Sequence, residues 1–184
     1  MQTRAKALEA FYDGPVWREH RAAANATMID SDDVLLLRPA QPGSGFKLDR
    51  ATRPPVGESQ SGEGIVVATI CHLAASAGDP FLGFFELELA PMLAAADGAS
   101  LLAYFVTEPS ENTFPRLPVR EDENVFVWFT GFSRLAAYEE HLAALDRVSP
   151  ELSQQLQVRL ERAPEVLKLS PTARSRLSGT LGLP

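Results

Sequence analysis

Residues 65–73 read IVVATICHL and residues 123–130 read ENVFVWFT, and these two stretches decide the fold. In both, apolar and β-branched residues occupy successive positions of the run rather than every second one. Successive side chains of a strand point to opposite faces of a sheet, so both faces of these segments are apolar. The sequence therefore predicts two strands that are covered on both sides.

Two helical patterns and two more strands complete the order around them. An apolar stripe over 81–93 predicts a helix that bends at Pro91 and ends at Gly98. A second helical pattern begins at Ser133, restarts at Ser149 and Pro150, and runs to about 162. The order β-α-β-β-α-β is the ferredoxin-like arrangement of an α+β protein, with two helices on one face of an antiparallel sheet. The predicted strands are 65–73, 101–108, 123–130 and 165–169.

The sheet face that the helices do not cover is expected to need a partner. Leaving one large apolar side chain in water costs roughly 1.5 to 3 kcal/mol. A second sheet packed face to face, from another domain or subunit, would cover it and form a dimeric α/β barrel. We therefore expect a homodimer or a higher homo-oligomer.

A short internal repeat divides the chain. The segment DVLLLRPA at 33–40 matches EVLKLSPT at 165–172, and each follows a helical stretch. The first copy then represents only the helix and last strand of an earlier repeat, either because the true start lies upstream or because another chain completes it. The expected division is a partial ferredoxin-like repeat at 1–40, a Pro- and Gly-rich linker at 41–64, a complete domain at 65–172 and a tail at 173–184.

Charge and composition exclude several classes of function. A formal charge of −7 without a basic block argues against nucleic-acid binding. Cys71 is the single cysteine, which fits a cytoplasmic protein and rules out a cysteine-based zinc site. No apolar run approaches the roughly 20 residues of a membrane span, and no metal or cofactor motif occurs. We expect no nucleic-acid partner, no membrane, no metal and no cofactor.

The polar hairpin 108–121 carries the candidate ligand-binding residues Asn112, Arg116 and Arg120. The two arginines can bind a carboxylate or phosphate, which Asn112 can orient, so a small-molecule ligand is one hypothesis. In the alternative, the prolines stiffen an arm and the arginines pair with neighbouring acidic residues. Those acidic residues are Glu108, Glu121 and Asp122.

Three residues are catalytic candidates, namely His72, His141 and Tyr104, and Trp128 is a candidate wall of the same pocket. Either histidine can act as a general base, and a pocket holding one histidine and one tyrosine suits oxygenation or isomerisation. The alternative is that these side chains pack in the core or an interface with satisfied imidazoles. The sequence leaves open whether the protein is an enzyme.

Three blocks resemble the NIPSNAP family: FYDGPVWREHRAAANATMIDSDDVLLLRPA at 11–40, TEPSENTFPRLPVRE at 107–121 and EVLKLSPTARS at 165–175. The resemblance implies a bacterial-type dimeric α/β barrel, although a family member would have a complete first repeat. It implies no established reaction. The implied function is a self-associating scaffold or a small-ligand-binding barrel; the alternative is a cofactor-independent monooxygenase or isomerase acting on a small apolar substrate in the barrel interior.

Overall fold

The computed structural model describes seven stretches of the chain, residues 1–30, 33–48, 53–57, 62–74, 79–95, 98–148 and 150–177. The helices are α1 (Gln2–Tyr12), α2 (Pro15–Ala26), α3 (Asp79–Phe84), α4 (Ala90–Ala95), α5 (Leu135–Val148) and α6 (Pro150–Gln157), and a π-helix at Phe85–Leu89 joins α3 to α4. The strands are β1 (Leu37–Pro39), β2 (Ile65–His72), β3 (Ser100–Thr107), β4 (Val125–Phe132) and β5 (Glu165–Leu169).

The five strands form one sheet in the order β1-β3-β4-β2-β5. Strand β2 pairs antiparallel with β4 and with β5, and β3 pairs antiparallel with β4. The register places Thr69 of β2 between Trp128 of β4 and Val166 of β5. With their intervening helices, β2 to β5 have the ferredoxin-like topology, so the predicted α+β fold is confirmed.

The chain divides into two compact units. Unit 1 consists of Met1–Leu37 and Thr107–Glu123, and unit 2 consists of Arg38–Val106 and Asn124–Pro184. The hairpin after β3 therefore belongs with the N-terminal helices, and the segment after β1 belongs with the sheet. The predicted division into a partial repeat, a linker, a complete domain and a tail, with boundaries at 40, 64 and 172, stays a prediction.

The core of unit 2 lies between one face of the sheet and the helices α3 and α4. Phe85 and Phe126 are fully buried with ring centroids 4.6 Å apart, and Trp128 lies 5.6 Å from Phe85. Cys71 is also fully buried here, and burial raises the pKa of its thiol to about 12. Each large apolar side chain buried in this layer contributes roughly 1.5 to 3 kcal/mol.

The opposite face of the sheet is partly covered by the chain itself. Val66 and Val127 on this face are buried. Phe46, from the predicted linker, packs on Phe129 and Phe105 with ring centroids 4.9 and 5.6 Å apart. This segment therefore packs on the sheet, where composition alone suggested a connection with little to bury.

Two arginines near the end of the described chain connect to the same predicted linker. Arg174 Nε donates a hydrogen bond to the carbonyl oxygen of Pro54 at 3.2 Å, and an N–H of Arg176 donates to that of Leu48. The predicted linker thus covers part of the sheet face that the sequence pattern predicts to be covered by a partner. Of the predicted tail at 173–184, residues 178–184 lie outside the described residues.

Where the sequence predicts a helix bend, the structure has a π-helix. The backbone N–H of Ala90 bonds to the carbonyl oxygen of Phe85, five residues earlier, immediately before Pro91. A proline has no N–H to donate, so the α-helical ladder is already broken at this position. The extra residue in this turn shifts the side chains that precede it relative to α4.

Strand β1 is shorter than the repeat predicts. Only Leu37–Pro39 form a strand within the predicted segment 33–40. Pro39 lacks a donor for the ladder, and the next N–H, of Ala40, bonds to the carbonyl oxygen of Tyr104 at 3.3 Å.

Candidate functional site

Tyr104 belongs to a polar cluster at the edge of the unit 2 core. Its hydroxyl donates a hydrogen bond of 2.7 Å to Oε1 of Glu86, which lies on the π-helix. Gln41 Nε2 donates to the Tyr104 hydroxyl at 2.7 Å and also to the same Glu86 oxygen. The π-helix therefore places one carboxylate where two donors from different segments converge.

The surroundings of Tyr104 keep its phenol protonated. Burial raises the pKa of Tyr104, and the hydrogen bond to the Glu86 carboxylate raises it further. Phe85 packs against the phenol ring at 5.0 Å. At neutral pH the group is thus a hydrogen-bond donor committed to Glu86.

His72 is held between a carboxylate and a guanidinium at the end of β2. The ring is 3% exposed, and its Nε2 lies 2.7 Å from Oε1 of Glu165 at the start of β5. The guanidinium of Arg162 lies 2.9 Å from Nε2 and 3.1 Å from Nδ1. Because both ring nitrogens have partners, this arrangement favours a role in joining β2 to β5 over proton transfer to a substrate.

His141 and Trp128 lie in packed layers of unit 2. His141 on α5 is 3% exposed, and its ring contacts Phe132 of β4 at 5.2 Å in an edge-to-face arrangement. Trp128 is 5% exposed and packs on Phe85. A ligand would reach either side chain only by displacing neighbours from the core.

Asn112 shapes the hairpin of unit 1. Its Oδ1 accepts hydrogen bonds of 3.0 Å from Arg4 NH1 and from the backbone N–H of Phe114, and its Nδ2 donates to the carbonyl oxygen of Leu117 at 2.9 Å. Through these hydrogen bonds the Asn112 amide stabilises the turn between Phe114 and Leu117.

Arg120 is tied to two acidic residues of unit 1. Its NH2 lies 2.7 Å from Oε1 of Glu123, and its NH1 donates to Oδ1 of Asp33 at 3.1 Å. Burial alone would lower the pKa of Arg120, but the two carboxylates outweigh it and raise the pKa. The alternative predicted Glu108, Glu121 or Asp122 as partners of the arginines, whereas Arg120 pairs with Glu123 and Asp33.

Arg116 is the most accessible of the predicted ligand-binding residues. It is 57% exposed and donates one hydrogen bond of 2.8 Å to Oδ1 of Asp13. It also lines an open cavity of about 540 Å³ together with Trp17. Its exposure and its place in the cavity lining suit contact with a ligand.

The predicted residues do not form a single site. Tyr104 and Trp128 are directly opposite each other in the sheet and share its helix-covered face. His72, opposite Val125, points to the other face, and the three hairpin residues belong to unit 1.

The sequence patterns did not predict the hydrogen-bond partners of Tyr104 and His72. Glu86 follows Phe85 of the apolar stripe, lies on the π-helix and accepts the hydrogen bond of Tyr104. The partners of His72, Arg162 and Glu165, are three residues apart, a spacing that signals an ion pair but does not reveal a buried imidazole between them.

The described residues hold no cluster of three or more His, Cys, Asp or Glu side chains that could bind a metal ion. A search of the same residues for helices long and apolar enough to cross a bilayer finds none.

Solved structures with this type of fold include two NIPSNAP proteins. A NIPSNAP family protein from Agrobacterium tumefaciens matches 59% of this chain over 93% of its own length, with 21% identity and a TM-score of 0.47. The chain is similar to NIPSNAP proteins. A NIPSNAP-like domain protein from Burkholderia xenovorans matches 60% of this chain over 86% of its own length, with 21% identity and a TM-score of 0.45. Both of these matches carry the name of the family that the sequence blocks resemble.

A further match is SnoaB, a cofactor-independent oxygenase from Streptomyces nogalater. It is 13% identical over 59% of this chain and 92% of its own length, with a TM-score of 0.40. No protein-family model and no curated protein sequence matches this chain.

Proposed function

We propose that this chain is a self-associating, cytoplasmic protein whose copies join through strand β5. The supporting observation is the exposure of β5 at the edge of the sheet. Val166 and Leu167 are each 47% exposed and Leu169 is 43% exposed, and they lie on both faces of the strand. An edge strand with exposed apolar side chains is a template for pairing with another strand.

The two edges of the sheet differ in a way that supports pairing at β5. Strand β1, at the other edge, has three residues and includes Pro39, which cannot donate to a further strand. Short length and proline are features that protect an edge from association. Strand β5 has five residues and no proline, and Lys168 is its one cationic residue.

A twofold axis perpendicular to the sheet gives β5 a self-complementary register. Two antiparallel copies centred on Leu167 place this leucine opposite its own copy and Val166 opposite Lys168. Each copy then has its helices on the same face of a continuous sheet. The apolar pair of Leu167 with its own copy contributes roughly 0.2 to 1 kcal/mol, in addition to the burial of apolar area.

A cysteine substitution at the predicted axis tests this register. The Cα atoms of directly opposite residues in antiparallel strands lie roughly 4.5 to 5.5 Å apart, within the roughly 4.4 to 6.8 Å that a disulfide spans. We expect Leu167→Cys to form a covalent dimer under mild oxidation. Native Cys71 should not interfere because it is fully buried with a pKa of about 12. Val158→Cys is the matched control, since Val158 is 72% exposed but lies outside the strand.

Light scattering after size exclusion measures the mass of the species in solution and so tests dimerisation without oxidation. The wild type should have about twice the chain mass of 20.0 kDa. Leu167→Lys should weaken dimerisation about tenfold or more, because it places like charges opposite each other, whereas Val158→Lys should not. A wild-type monomer at all concentrations, or equal cross-linking of the two cysteine variants, would refute the proposal.

The catalytic alternative requires a buried cavity that contains a candidate side chain. Tyr104 is committed to Glu86, and His72 lies between Glu165 and Arg162. Arg116 does line a cavity, but that cavity is open at the surface of unit 1. These contacts support assembly over oxygenation or isomerisation in an interior pocket.

A further inference from the structure

The open cavity of unit 1 has the size and lining of a small-molecule site. Its volume of about 540 Å³ lies within the range of ligand pockets in proteins, roughly 300 to 1,000 Å³. One wall comes from the end of α1, from α2 and from the residues that follow α2, and the other wall comes from the hairpin. The lining residues are Tyr12, Trp17, Asn25, Met28, Ile29, Asp30, Arg116, Leu117 and Pro118.

The aromatic wall of this cavity is held in place by ring contacts. The Trp17 ring lies 4.9 Å from Tyr12 and 5.3 Å from Phe11. Tyr12 in turn stacks on Phe114, which is 5% exposed, at 5.5 Å with an interplanar angle of 19°. This wall is therefore prepared to accept an apolar or aromatic group without rearrangement.

Arg116 is the cation that lines the cavity, and its guanidinium has further N–H donors with which to bind an anion. Arg116 uses NH1 in its pair with Asp13, and a guanidinium has five N–H donors. Its central carbon lies 5.8 Å from the centroid of Tyr12 and 5.5 Å from that of Phe114, so the rings flank the charge. A carboxylate at this position would accept from the guanidinium while its apolar body contacts the adjacent aromatic wall.

The other polar side chains of the cavity lining, Asn25 and Asp30, restrict which ligands the cavity can bind. Asn25 offers an amide N–H from α2, and Asp30 adds a carboxylate to the lining. A second anionic group on the ligand would meet the Asp30 charge at a cost. We infer that this cavity binds a small monocarboxylate with an aromatic or aliphatic body. This inference does not depend on β5 pairing, because all its residues belong to unit 1.

NMR of the two indole N–H groups tests the inference without altering the core. Trp17 lines the cavity and Trp128 is buried in unit 2, and Trp17→Phe assigns the two signals. Titration with 3-phenylpropionate should shift the Trp17 signal saturably and leave the Trp128 signal unchanged. The neutral 3-phenylpropionamide and the dicarboxylate phenylsuccinate should each bind about tenfold more weakly.

A matched pair of arginine variants separates a specific contact from general charge. Arg116→Gln should weaken binding of 3-phenylpropionate about tenfold, whereas Arg21→Gln removes an equal charge from α2 outside the lining and should have no effect. Arg116 is well exposed, so its replacement should leave the fold intact, as circular dichroism would verify. Equal binding of acid and amide, equal effects of the two variants, or no saturable shift would overturn the inference.

Discussion

The two units of this protein are stabilised in different ways. In unit 2, fully buried rings such as Phe85 and Phe126 form a continuous layer between helices and sheet. In unit 1, neither α1 nor α2 has a buried residue, and Phe114 is the aromatic ring that is buried. Unit 1 relies instead on partly exposed ring stacking and on ion pairs such as Arg120–Asp33.

This difference indicates that local opening costs less free energy in unit 1 than in unit 2. Exposed ion pairs contribute about 0 to 1 kcal/mol each, far less than a buried phenylalanine. Segments with few buried apolar contacts open locally at low cost in free energy, and binding sites are commonly drawn from them. The cavity that we assign to a carboxylate lies in the unit with the weaker support.

The largest effect on stability is expected from truncating a ring in the core of unit 2. Phe126→Ala removes a fully buried ring whose centroid lies 4.6 Å from Phe85 and 5.0 Å from Phe81. The free energy of unfolding should fall by about 3 to 5 kcal/mol, because a cavity remains after the ring is lost. Urea denaturation measures this change. A loss below about 1 kcal/mol would show that the layer can collapse around the gap.

A matched truncation in unit 1 should have a smaller and more local effect. Phe114→Ala removes the ring that stacks on Tyr12, and we expect a loss of about 1 to 3 kcal/mol that is confined to unit 1. Hydrogen exchange should accelerate for the backbone amides of α1 and the hairpin, with β2 and β4 unchanged. Equal acceleration in both units would contradict the comparison and indicate one cooperative structure.

The smallest effect concerns the polar cluster at the edge of the core, and it depends on pH. Tyr104→Phe removes the hydroxyl that donates to Glu86 and should cost about 1 to 2 kcal/mol near neutral pH. Because the folded-state pKa of Tyr104 is raised above its ordinary value of 10.0, this stabilisation is complete below that value and declines as pH rises through the raised pKa.

Parallel denaturation of the wild type and Tyr104→Phe between pH 7 and pH 11 measures this dependence. The two stabilities should converge towards the alkaline end. Tyr138, whose pKa burial also raises, is present in both proteins and so cancels from the difference. A constant difference across the range would show that the Tyr104 hydroxyl does not titrate with folding.

Strand patterns in the sequence predict the sheet closely because burial on both faces leaves few alternatives. The bounds of β5 agree with the prediction at 165–169, and those of β2 and β3 agree within one residue. Strand β4 begins at Val125, two residues later than predicted, since Glu123 belongs to unit 1 and pairs with Arg120. This ion pair joins residues three apart, whereas the prediction at 123–130 rested on the apolar strand pattern alone.

The candidate sites were less predictable because each depends on a distant partner. Asp13 and Arg116 are far apart in sequence, as are His72 and Glu165, and no local periodicity joins them. The role of Phe46 had a visible signal, since it is the only aromatic residue in the polar segment 41–64. Its packing on Phe129 shows that one aromatic ring can place a segment that composition assigns to a linker.

The position of β5 beside β2 has a consequence for synthesis on the ribosome. Strand β2 pairs with β5, which is translated about one hundred residues later, so this pairing is among the most non-local in the sheet. Until Leu169 has left the exit tunnel, one edge of β2 has no strand beside it, although its sequence is almost wholly apolar. A nascent chain that pauses before β5 would therefore expose a strand edge suited to aggregation, and chaperones that bind extended apolar segments would compete with β5 for it.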